Sequence, residues 1–275
     1  MKKLTILIFA FMSILSFSQN YRAIYELTFK PNKAKDSLVK DIYALDIFPQ
    51  LKKLNFYNFN YYKNDSIMTA ILKNADLKGG VNIDSNMLPK AKYPLFYTSE
   101  NEKGYSLKTV DGDSYIFPDL QKANWKISNK TKKIKNWNSQ KAETDFLGKH
   151  WIAWFSSDVP FLEGPYKFKN LPGLITEIQD SGNNYHFTLE GFYKISDKEF
   201  VPAIFKKAIP VTKSQFEKAL SNYQKDPAGK LRQGIMVDES GNVFHMTNGF
   251  SKDFIDQVTK DRLKKMKGFN NPLEL

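Results

Sequence analysis

Apolar and polar residues alternate along much of this chain. From Tyr21 to Lys30, Tyr21, Ala23, Tyr25, Leu27 and Phe29 share one face, and Arg22, Ile24, Glu26, Thr28 and Lys30 the other. That period of two predicts a first β-strand, and Pro31-Asn32-Lys33 ends it. Leu38 to Ile47 fits two patterns. Val39, Asp41, Tyr43, Leu45 and Ile47 alternate, while Leu38, Ile42 and Leu45 suit a helix; strand is favoured. In the aromatic, Asn-rich stretch from Pro49 to Lys73 a helix is expected over Gln50–Lys63, and Lys78 to Pro94 reads as a connector. Tyr105–Val110 and Asp113–Phe117 flank Asp111-Gly112, the residue pair that a type I′ hairpin turn favours. Further strand pairs flank Asn129-Lys130 and Leu147-Gly148-Lys149, and a second clear hairpin surrounds Glu239-Ser240-Gly241-Asn242.

Helices are few and late. Thr212 and Gln215 form a capping box ahead of Phe216, Leu220 and Tyr223, which mark one helical face ending near Asp226-Pro227. Ser251 can cap a last helix that runs to about Lys267 and stops at Gly268. Trp151–Phe155 carries large apolar residues on both faces. The expected fold is mainly β: one antiparallel, strongly curved sheet, a half-barrel or open barrel, with a few peripheral helices. Residues 19–275 are expected to form a single β-rich domain.

The densest local signal is Gly164-Pro165-Tyr166-Lys167-Phe168-Lys169-Asn170-Leu171-Pro172-Gly173-Leu174-Ile175. Proline cannot donate to a β ladder, so Pro165 and Pro172 belong at strand ends or turns. Pro172-Gly173 predicts a type II turn, and Asn170 tolerates the left-handed region. Leu174–Gln179 and Tyr185–Tyr193 then read as strands around the turn formers Asp180 to Asn184. A packing motif over a core is the main reading of this stretch; a ligand loop is the alternative.

These residues resemble the signature of the GLPGLI family, secreted bacterial proteins known mainly from Bacteroidetes. The signature positions are Gly164, Pro165, Tyr166, Lys167, Phe168, Asn170, Leu171, Pro172, Gly173, Leu174 and Ile175. Similar blocks include Trp125-Lys126-Ile127, Thr131 to Ile134, Gln140 to Ala142, Phe146 to Lys149, Trp151 to Phe155 and the tail Asn270 to Leu275. Asn170 stands where the motif has its first Gly, and Ser139 where many relatives have Cys. The family has no established activity, so the resemblance implies fold and location rather than function.

The first residues read as a cleaved secretion signal, 1–18. Lys2 and Lys3 precede an apolar run from Leu4 to Leu15, too short to span a bilayer, and Ser16-Phe17-Ser18 places cleavage before Gln19. The chain is therefore expected in the periplasm or outside, not membrane-spanning. With no Cys a disulfide framework is excluded. The net charge is +12, and losing Lys2 and Lys3 leaves +10. Such charge often signals nucleic acid, but the expected compartment argues against it. A lipid-like or peptide ligand, or an outer-membrane protein, fits better, beside the plain reading of a solubilising surface.

Catalytic motifs are sparse. Ser37-Leu38-Val39-Lys40 lacks its S-D-N and K-T-G companions. His150, His186 and His245 lie far apart, and Asp111-Gly112-Asp113 is explained by its turn. No catalytic residue, metal or cofactor is assigned, and no enzymatic activity is expected. Trp125, Trp137, Trp151 and Trp154, interleaved with lysines such as Lys122 and Lys132, are the candidate ligand-binding set. They suit an amphipathic anion, or else build the core. A non-catalytic envelope binding protein is the favoured function. A hydrolase of envelope glycans or peptides acting through carboxylates, and a structural interaction module, are the alternatives.

Overall fold

The computed structural model describes residues 19–74, 88–196, 198–237 and 243–274. The expected signal segment, much of the expected connector and the turn at residues 239–242 lie outside the described residues. Twelve strands form one sheet: β1 (Asn20–Phe29), β2 (Val39–Phe48), β3 (Lys53–Asn58), β4 (Phe96–Glu100), β5 (Lys103–Val110), β6 (Asp113–Pro118), β7 (Lys126–Ile134), β8 (Trp137–Phe146), β9 (Lys149–Ser156), β10 (Leu174–Asp180), β11 (Tyr185–Ile195) and β12 (Ile209–Pro210). Their order is β12-β6-β5-β4-β3-β2-β1-β11-β10-β9-β8-β7. Two meanders thus meet where β1 pairs with β11, from Asn20↔Ile195 to Phe29↔Tyr185. All pairs are antiparallel except β12 with β6. The sheet is open and curved, as the two-sided apolar strand Trp151–Phe155 led one to expect, with β7 and β12 as its outer strands.

The turn chemistry matches the expectation at the clearest hairpin. Asp111 and Gly112 both have positive φ, 50° and 84°, which a type I′ turn demands at its two central positions. Leu38–Ile47 resolves as strand β2. The helix expected over Gln50–Lys63 is corrected. Only a 3-10 turn (Pro49–Leu51) precedes β3, and the helix α1 spans Phe59–Asn74. The reason is burial. Leu54 to Asn58 are all buried between β2 and β4, a two-sided demand that an amphipathic helix cannot meet. Asn58 then starts α1 by accepting from Asn60 N–H at 3.0 Å.

The remaining helices are α2 (Ala203–Lys206), α3 (Lys213–Lys225), α4 (Gly229–Arg232) and α5 (Lys252–Gly268). Both halves of the Thr212/Gln215 capping box are present on α3. Ser251 Oγ caps α5 by accepting from Phe254 N–H at 3.3 Å. One sheet face packs against α1, α2 and α3. There Tyr57, Phe96 and Leu107 meet Phe59, Tyr62 and Phe205, and Phe117 meets Phe216. The other face holds the larger core, with Tyr25, Leu27, Leu45, Phe56, Trp151 and Phe187 buried. It is covered by two pieces of chain without regular structure, the segment 157–173 and the tail 270–274. Strands β13 (Ile235–Val237) and β14 (Val243–His245) make a separate two-stranded ribbon.

Candidate functional site

The signature stretch packs as a tightly wound loop. Asn170 N–H donates to the Leu162 carbonyl at 2.7 Å, Leu174 N–H to Val159 at 3.1 Å and Ile175 N–H to Glu163 at 3.0 Å. Asn170 has φ 74°, so the left-handed position is kept without glycine. The turn at Pro172 differs from expectation. Gly173 N–H donates to the Leu171 carbonyl at 2.8 Å, a three-residue γ-type turn centred on Pro172 rather than a type II turn. Leu174 N–H, which a type II turn would use, is taken by Val159. Gly173 has φ 153°, and a Cβ there would sit 2.2 Å from the Ser156 carbonyl oxygen. The backbone approach leaves space only for glycine.

This loop carries a charge into the core. The Lys167 ammonium is buried, 2.5 Å from Asp119 Oδ2 and 2.8 Å from Glu274 Oε1. Ser106 Oγ donates to Asp119 at 2.7 Å, Lys108 reaches Glu274 at 3.3 Å, and the Tyr166 hydroxyl donates to Glu274 as well. Burial pushes both carboxyls up. For Asp119 the Lys167 charge and hydrogen bonds from Lys167 and Ser106 outweigh it, and the pKa ends below the ordinary value. For Glu274 the charges of Lys108 and Lys167 do the same. Two ammonium groups face two carboxylates, so the cluster compensates itself. It locks loop to tail, with Leu273 fully buried and Asn271 donating to the Lys30 carbonyl at 2.7 Å.

The loop also forms one wall of a cleft of about 410 Å³. The opposite wall is the β2–β3 connection. Ile47, Phe48, Leu54 and Phe161 give it apolar surface, and Lys52, Lys122, Lys169, Glu102 and Glu163 give it charge. Lys53 at its edge is paired with Glu199 at 2.7 Å. Burial raises the Glu163 carboxyl above its ordinary pKa, with Lys169 opposing only in part. The cleft thus mixes apolar surface with six charged side chains, a lining suited to a ligand that has both an apolar and a charged part.

The four tryptophans do not line one mouth, which corrects the sequence expectation. Trp151 is fully buried, with its Nε1 donating to the Phe146 carbonyl at 2.8 Å and Phe168 4.6 Å away in an edge-on contact. Trp154 lies on the opposite face of β9, where the Lys132 ammonium sits 4.4 Å from its ring. Residues three apart in a strand must point to opposite faces. Trp137 is packed at the margin of the larger core. None of the four lines the cleft; Trp125 is tied to one of its lining residues, donating from Nε1 to the Lys169 carbonyl at 2.8 Å.

The histidines are separate. His150 pairs with Asp145 at 2.8 Å across the β8–β9 hairpin, His186 lies 3.8 Å from Glu177, and His245 is on β14. Among the described residues no group of His, Asp and Glu could hold a metal ion. Glu163 and the Lys167 cluster were missed as functional candidates, because a single Glu or Lys carries no local signature of burial. Also unforeseen was the buried pair Arg22–Asp46, 2.6 Å apart, with Tyr57 donating to Asp46 at 2.9 Å.

No family model matches the chain, and no curated protein matches it. Among solved structures, PNGF-II is similar with a TM-score of 0.50 and 15% identity, covering 81% of this chain and 39% of PNGF-II. An uncharacterized conserved protein from Thermus thermophilus follows with a TM-score of 0.37 and 8% identity, covering 78% of this chain and 100% of that one. A LolA superfamily protein, NE2245 from Nitrosomonas europaea, has a TM-score of 0.26 and 6% identity, covering 66% and 89%. This chain spans about two fifths of PNGF-II's length, and at such identity the likeness is one of fold alone, over most of this chain.

Proposed function

We propose that this chain is an exported, GLPGLI-like envelope protein that binds an anionic amphipathic ligand without turning it over. The observation that carries the reading is the cleft between the β2–β3 connection and the signature loop. Phe48 and Phe161 line the cleft together with Lys52, Lys122 and Lys169. An apolar tail on the phenylalanines and an acidic head on the lysines would satisfy both. The net charge of +10 left after loss of Lys2 and Lys3 adds long-range attraction for such a ligand. The Lys2/Lys3 n-region and the following apolar run support export.

Dodecyl phosphate and 1-anilinonaphthalene-8-sulfonate are suitable probes, with Trp125 as reporter through its bond to Lys169. Binding should change tryptophan emission, weaken as salt is added, and fall in Lys122→Gln and Lys169→Gln. Equal binding by both variants would place the ligand elsewhere. A second reading, a hydrolase acting through carboxylates, is favoured by one observation. Glu163, held toward its protonated form by burial, lines the same cleft as Glu102. Turnover of an envelope glycan or peptide that is lost in Glu163→Gln would make that reading the correct one.

A further inference from the structure

The turn at Asp111-Gly112 anchors a small module beside the main sheet. Lys230 of α4 donates to the Asp111 carbonyl at 3.0 Å and pairs with Asp113 at 2.6 Å. Arg262 of α5 pairs with Asp111 at 2.6 Å. Val237 of β13 packs so near that a Cβ on Gly112 would meet it at 2.5 Å. These contacts set the orientation of the ribbon. Ile235 and Val237 are half-buried, while Met236 and its cross-strand partner Phe244 face outward, 38% and 45% exposed.

Further exposed apolar residues follow the ribbon along the chain. Met246 N–H donates to the Gly234 carbonyl at 2.8 Å, and the Met246 side chain is 47% exposed. Phe254, in the first turn of α5, is 43% exposed and stacks on Phe250 at 5.3 Å. Helix α5 adds charge. Its half-buried stripe is Ile255, Val258, Arg262 and Met266, and Lys260, Lys264 and Lys267 stand on the exposed face at helical spacing. The Met and Phe side chains project from a narrow ribbon, a shape that enters a deformable acyl layer more readily than it fills a rigid pocket. The lysines complement acidic head groups.

We propose that β13–β14 and α5 dock this protein onto an anionic lipid surface, with Met236, Phe244, Met246 and Phe254 entering the acyl boundary and Lys260, Lys264 and Lys267 holding head groups. This surface is separate from the cleft and stands independently of the ligand bound there. The test is co-sedimentation of the purified protein with vesicles of phosphatidylcholine alone or mixed with phosphatidylglycerol. We expect salt-sensitive binding to the mixed vesicles only. Met236→Ser with Phe244→Ser should weaken it about tenfold or more, and glutamine at Lys260, Lys264 and Lys267 roughly fivefold per charge. Lys122→Gln with Lys169→Gln should leave it unchanged, which separates this surface from the cleft. Phe244→Trp supplies a direct readout, a blue shift of emission on adding mixed vesicles but not neutral ones. Absence of that shift, equal binding by the serine variant, or a dimer or stoichiometric protein complex dissolved by Phe244→Ser would overturn the proposal.

Discussion

The Lys167 ammonium lies 2.8 Å from Glu274 Oε1, joining the signature loop to the chain's tail across more than a hundred residues. Asp119 on its other side, at 2.5 Å, brings in the connection that follows β6. One buried cation therefore ties together three segments that strand pairing leaves independent. Removing it leaves two carboxylates in the core with too little charge to meet them.

Lys167→Met should cost about 3–5 kcal/mol at neutral pH, the range for breaking one partner out of a buried ion pair. Denaturant titration measures it. The pH dependence carries the sign. Asp119 and Glu274 have lowered folded-state pKa values, so their stabilisation is complete above the ordinary values of about 3.9 and 4.3. It is lost as pH falls through the lowered ones. Lys167→Met should flatten the acid limb of the stability curve. An acid limb as steep as the parent's would remove this cluster from the account.

Glu163 should behave in the opposite sense. Its folded pKa is raised by burial, so stability falls as pH climbs from the ordinary glutamate value toward the raised one. Glu163→Gln removes that loss. The variant should melt above the parent at pH 7 and together with it near pH 4; a lower melting point at pH 7 would mean that cations beyond Lys169 hold the charged form.

Gly173→Ala should destabilise by at least about 1–3 kcal/mol, the usual cost of a strained backbone. The Ser156 carbonyl stands 2.2 Å from the new Cβ and cannot swing aside as a side chain would. Asn170→Gly should shift the melting midpoint little, since Asn170 already holds φ 74°. Thermal unfolding of the two variants side by side checks both statements.

Export predicts a mature N-terminus at Gln19. Mass spectrometry of protein from its host should find that species. A product retaining Met1 would refute export through the Lys2/Lys3 signal.

What the sequence determined by itself is local. The strand alternation of Tyr21–Lys30, the positive φ at Asp111-Gly112, the capping box at Thr212 and the left-handed Asn170 all rest on sterics and hydrogen bonds within a few residues. Each is present where the pattern places it. What only the tertiary structure decided is non-local. β1 pairs with β11 across more than 150 residues of chain, a partner that loop-closure entropy disfavours and that burial in the common core must repay, and no period in either strand encodes the choice. Lys53–Asn58 became strand because neighbours cover both faces, overriding its helical aspect. Trp151 and Trp154 were divided by the sheet that runs between them. Lys167, Asp119 and Glu274 are ordinary charged residues in the sequence, and only the docking of loop and tail into one core gives them each other as partners.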